Sequence, residues 1–152
     1  MNIIETTKKI LSDYNKISEF SNGVQIDFTT NEPTNFGLSS IGDTLLKEDV
    51  LGNKKRKHSF VLYAVNQAYE DYDRLANSSF LLELTYWLEN QKGQEIDVVI
   101  GDSIKKGEIT KIYTANAMIY DVPTGNLNDG VMYQIQIYVE YKVKGEDIKW
   151  VQ

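Results

Sequence analysis

The sequence predicts an α+β domain: a mixed, mainly antiparallel sheet with two long helices packed on one face and protruding β-hairpins. Three stretches carry that prediction. Residues 58–66 place Phe60, Leu62 and Ala64 on one strand face and Val61, Tyr63 and Val65 on the other, so both faces of a central strand can be covered. Residues 69–90 then space Tyr72, Leu75, Ala76, Phe80, Leu84, Trp87 and Leu88 by three and four, with Leu81 and Leu82 widening the stripe. That is the pattern of a helix buried along one side. Residues 131–144 alternate without a break, putting Val131, Tyr133, Ile135, Ile137, Val139, Tyr141 and Val143 on one face.

Taken in order, residues 3–20 form the first helix, with Ile3, Ile4, Thr7, Ile10, Leu11, Tyr14, Ile17 and Phe20 on one side and charged residues opposite. Ser21-Asn-Gly23 stops it, because asparagine and glycine accept the left-handed cap conformation. Val24, Ile26 and Phe28 alternate in a half-buried strand, and Pro33 in the following link forbids ladder pairing. Residues 38–49 are extended and pair with the central strand as an antiparallel hairpin, whose charged tip runs from Gly52 and Asn53 to Lys57. Gln91–Gly93 closes the second helix, Ile96–Ile100 is a short strand, and Gly101-Asp-Ser103 and Lys106-Gly107 are turns. Residues 109–122 and 131–144 are the arms of a second hairpin. At ~3.3 Å per residue its second arm spans about 43 Å, long enough to project beyond the body.

Length and composition bound the possibilities. A chain of 152 residues is expected to be one domain over residues 1–152, able to bury roughly two-thirds of the surface its unfolded form exposes. With 41% hydrophobic and 25% charged residues, widespread disorder is excluded. No run approaches the ~20 apolar residues that cross a bilayer, and the first residues lack an apolar signal region, so synthesis in a cytoplasm and no membrane partner are expected. The absence of cysteine removes disulfides, thiolate catalysis and cysteine-bound metals together. A net charge of −6 argues against a dedicated nucleic-acid binder.

No residue pattern points to catalysis, a metal or a cofactor, and the expectation is that the chain is not an enzyme. His58 is the single histidine. A triad would need it with an acid and a serine such as Ser59 or Ser103, but neighbours on a strand point to opposite faces, so Ser59 is poorly placed. A surface histidine at a hairpin shoulder is expected instead. Asn126-Leu-Asn128-Asp-Gly130 faintly resembles a calcium loop, but the position of the closing glutamate is Ile137; Asn-Asp-Gly is a good hairpin turn. Asp71 and Asp73 suit a first helical turn, and Glu83 and Glu89 suit a solvated helix face.

Two surfaces stand out as protein-interface candidates. The first is Asn53, Lys54, Lys55, Arg56, Lys57 and His58, a cationic run in an acidic chain that is either a docking patch for an acidic neighbour or nucleic acid, or a solubilising tip. The second is Asn126 and Asn128 with Met132, Gln134, Gln136 and Tyr138, an outward strand row without charge, in a chain holding ten tyrosines and two tryptophans.

Residues 45–64, Leu-Leu-Lys-Glu-Asp-Val-Leu-Gly-Asn-Lys-Lys-Arg-Lys-His-Ser-Phe-Val-Leu-Tyr-Ala, and 72–89, Tyr-Asp-Arg-Leu-Ala-Asn-Ser-Ser-Phe-Leu-Leu-Glu-Leu-Thr-Tyr-Trp-Leu-Glu, resemble the tail-terminator (minor structural protein) family of bacteriophages and prophages of Gram-positive hosts. The resemblance covers roughly the first 90 residues, and the C-terminal hairpin agrees only in kind. It implies a structural virion protein that forms a homo-oligomer ring, commonly a hexamer, capping the head-proximal end of the tail tube of a phage or a phage tail-like bacteriocin. The implied partners are further copies, the tail tube protein, and sheath and neck proteins, with DNA passing through the ring but no specific nucleic-acid contact. The implied location is the virion tail or tail-like particle, assembled in the host cytoplasm. Two alternatives stay open: a head-completion or neck (minor capsid) protein, and a small-molecule-binding enzyme, which would need a polar, water-excluding pocket and would be favoured by one containing His58 with two buried carboxylates.

Overall fold

The computed structural model describes residues 1–14, 24–26, 35–66, 71–121 and 131–147. The element order is α1 (Ile3–Ser12), β1 (Val24–Ile26), β2 (Asn35–Glu48), β3 (Lys54–Asn66), α2 (Asp71–Glu89), β4 (Glu95–Ile100), β5 (Ser103–Asp121) and β6 (Val131–Asp147). The six strands form one sheet in the order β1-β2-β3-β6-β5-β4. Every pair is antiparallel except β1 with β2. The α+β class and the mixed, mainly antiparallel sheet are as expected. The sequence-based ranges 15–23, 27–34, 67–70 and the second hairpin tip, Pro123–Gly130, lie outside the described residues.

The core sits on one face of this sheet. β3 is central, between β2 and β6, and Phe60 and Leu62 are wholly buried beneath the helices. Its other face is covered only in part, with Val61 buried and Tyr63 half-buried. On β6, Tyr133, Ile135, Ile137, Val139, Tyr141 and Val143 are all buried. The strict alternation therefore fixed which face turned inward. Ile10 and Leu11 of α1 and Leu81, Leu84 and Leu88 of α2 join the same cluster, and the Tyr14 ring sits 5.0 Å from that of Trp87.

Both helices pack on one face, but the expectation of two long ones is corrected: α1 has 10 residues and α2 has 19. Asn2 caps the start of α1, its side-chain oxygen accepting the Glu5 N–H at 2.8 Å. The end tightens at once, since the Asp13 N–H reaches the Ile10 carbonyl and the Tyr14 N–H the Leu11 carbonyl. Such three-residue steps close a helix.

Three further corrections concern strands. β3 begins at Lys54, so the basic run lies within the sheet, paired with Val143 to Glu140 of β6. The first hairpin does not protrude alone, because its turn backs onto β6: the Gly145 N–H donates to Asn53 Oδ1 at 2.7 Å. A Cβ at Gly145 would lie 2.4 Å from the Leu51 carbonyl oxygen, so only glycine permits that approach. Gly107, expected at a turn, lies inside β5 at a register shift, with the Lys142 carbonyl 2.8 Å from where a Cβ would stand.

Candidate functional site

Along β3 the core changes character once it passes Phe60. The next inward residues are His58, Arg56 and Lys54, and the strands on either side supply polar partners. A register shift between Ser40 and Gly42 inserts an extra residue into β2 and sets Asp43 opposite His58. The Asp43 carboxylate accepts from Tyr141 Oη at 2.5 Å, from Arg56 Nε at 2.5 Å and from His58 Nδ1 at 2.9 Å. On its far side, His58 Nε2 meets Ser40 Oγ at 2.5 Å, while the ring packs on Phe60. His58 is 8% exposed, not the surface histidine expected. It is buried because three strands close around it.

Burial pushes the Asp43 carboxyl up, but the hydrogen bonds from Tyr141, Arg56 and His58 outweigh it and hold the group below the usual carboxylate range. Burial, and then the adjacent carboxylate, push the Tyr141 phenol up, so it stays a donor. The order Ser40–His58–Asp43 matches the connectivity of a hydrolytic relay, with Asp43 holding the Nδ1 proton and Nε2 turned to the hydroxyl. Asp43 nevertheless divides its charge among donors on β3 and β6, the arrangement of a clamp joining β2, β3 and β6. Among the described residues the cluster holds one carboxylate beside His58, that of Asp43. Sequence reasoning missed Ser40, Asp43 and Tyr141, whose only signal was the Gly42 that accompanies the bulge.

Beyond the clamp lies a cavity of about 320 Å³, lined among the described residues by strands alone. It is lined by Val98, Ile100, Val143 and Tyr141 together with Lys54, Arg56 and Asp43. Large apolar side chains are also exposed on the neighbouring strands and turns. Ile41, Leu45, Leu46, Val50 and Leu51 are exposed on the first hairpin, and Val99, Ile100 and Ile104 are exposed around the β4–β5 turn. Ladder register puts both turns at the same end of the sheet, since Lys54 and Gly107 each pair with Val143. Ile41 and Leu46 are the residues inserted by the two register shifts in β2.

Of the sequence-predicted residues, Asn53 lies in the turn, and the cations that follow are largely engaged within the chain. Lys55 pairs with Glu140 at 3.4 Å, Arg56 with Asp43, and Lys57 sits 5.1 Å over the Tyr138 ring. Gln134, Gln136 and Tyr138 are half-buried on the outer sheet face. Tyr138 stacks on Tyr113 at 5.2 Å and donates to Gln136 Oε1. The described members of the two sets thus meet on one sheet. Asn126, Asn128 and the Met132 side chain lie outside the described residues.

Among the described residues, no group of three histidine, cysteine or acidic side chains is placed to hold a metal ion. No described helix is long and apolar enough to cross a membrane. No protein-family model matches the chain, and no curated protein matches it. Among solved structures, a chain from the virion of a native gene transfer agent (GTA) particle is distantly similar, with a TM-score of 0.45 and 13% identity over 90% of each chain.

Proposed function

We propose that this chain is a structural, non-catalytic subunit of a phage tail or phage-tail-like particle, which assembles with copies of itself into a ring at the head-proximal end of the tail tube. The observation that carries this reading is the apolar character of one end of the sheet, where among the described residues Leu45, Leu46, Val50, Leu51, Val99, Ile100 and Ile104 are exposed near two turns. An apolar concentration of that kind on a small domain marks a surface that an assembly covers. The resemblance of residues 45–64 and 72–89 directs the assembly to a tail. In that role the ring, a hexamer, stops tube polymerisation and offers an attachment surface to the neck. Its partners are the tube protein and the sheath and neck proteins, and DNA passes through it without specific contacts.

The test is tube length. Tail tubes assembled with the protein are expected to stop at a uniform length with a ring at one end, and without it to grow without limit. Tubes of uniform length in its absence overturn the capping role. Deleting residues 53–57 is a poor variant for this purpose, because it removes paired residues of the β3–β6 ladder. Val50→Asp, at a fully exposed site, leaves the ladder intact.

A further inference from the structure

The turn of the first hairpin is both rigid and apolar. The Asp49 carboxylate accepts the N–H groups of Leu51 and Asn53, each at 2.9 Å, and the Asn53 side-chain amide at 3.0 Å. Asn53 in turn receives the Gly145 N–H, so the turn is tied to β6 as well as to itself. Polar residues normally fill such positions. Here Val50 is 102% and Leu51 77% exposed, so neither side chain enters the cavity of its own chain. Two aliphatic groups held outward on a pre-organised turn need little further ordering on binding.

The cavity a few residues away has the complementary chemistry. Its lining includes the aliphatic Val98, Ile100 and Val143, with Ile100 half exposed, together with Lys54 and Arg56. The apolar pair on the turn is preceded by two acids, Glu48 and Asp49. We propose that the Val50–Leu51 turn of one copy docks into the Val98–Ile100–Val143 cavity of a second copy, with Glu48 and Asp49 facing Lys54. The contact joins two different patches: reciprocated between two copies it closes a dimer, and unreciprocated it repeats, to a ring where the rotation closes and to a filament where it does not. This deepens the reading above by naming the partner of that surface, and it rests on self-assembly, not on the tail role.

The cysteine-free sequence allows a direct test. Full-length Leu51→Cys and Ile100→Cys variants, one carrying a mass tag, are mixed in equal amounts and oxidised without tail tubes. A disulfide between the two variants in preference to homodimers is expected. Homodimers alone, or no bond at all, overturn the proposal. Leu51→Asp supplies the second measurement: it is expected to weaken self-association by roughly thirtyfold or more while leaving the melting midpoint unchanged, and unaltered association overturns the contact. Cross-linking without any effect on tube length would remove the tail role and leave this contact standing. Capped tubes without cross-linking would do the reverse.

Discussion

Asp43 is where a single side chain decides most. Its three donors come from β3 and β6 while it belongs to β2, so replacing the charge loosens three strands together. Asp43→Asn is expected to cost about 2–4 kcal/mol in denaturant unfolding, because Arg56 and Tyr141 lose their charged acceptor at a half-buried site. The sign of the pH dependence follows from the lowered pKa. The folded state holds the deprotonated form more strongly than the unfolded chain does. The contribution is complete above the ordinary carboxylate value of ~3.9 and is lost as pH falls through the lower native value. The stability difference between wild type and Asp43→Asn should thus be flat from about pH 7 to 5 and shrink below about pH 4, as urea titrations at each pH will show. Ser40→Ala removes only the outer hydrogen bond of His58 and should cost about 1 kcal/mol. A much larger loss would mean that the hydroxyl has a role beyond the clamp.

At the scale of elements, the sheet is held by β3 and β6, and the helices seal half of one face. Phe60, fully buried at the centre, is expected to cost about 3–5 kcal/mol when changed to alanine. The midpoint of thermal unfolding would then fall by about 10 °C in a chain of this size. Gly145→Ala acts differently, since its Cβ would strike the Leu51 carbonyl and push the turn off β6. A loss of about 1–3 kcal/mol is expected, with faster amide exchange at Leu51 and Asn53 than in wild type. The inward row of β6 and the Leu81, Leu84 and Leu88 part of the α2 stripe were legible because alternation and 3.6-residue spacing are one-dimensional patterns, whereas Leu82, expected to widen that stripe, is exposed and the side chains of Tyr72, Leu75 and Ala76 lie outside the described residues. What stayed hidden came from two dimensions. The shift at Ser40 moves every later residue of β2 by one position, so no spacing in the sequence brings Asp43 to His58. The basic run suggested a solvated tip only because its partners Glu140, Asp43 and Tyr138 lie on other strands.

For the whole molecule, the described helix residues pack on one face of the sheet, while the end that carries the first hairpin turn and the β4–β5 turn has a small cavity and exposed aliphatic side chains. That asymmetry gives the account its central claim, that this end is completed by other copies at the end of a tail tube. Salt should affect this association little, because the contact is mainly apolar and only its flanking charges are screened. The most direct measurement is the mass of the purified chain by light scattering, first alone and then with assembled tail tubes. A closed ring in solution, or a monomer that becomes a ring on the tubes, is expected. A chain that stays monomeric at all concentrations and does not bind the tubes contradicts the claim.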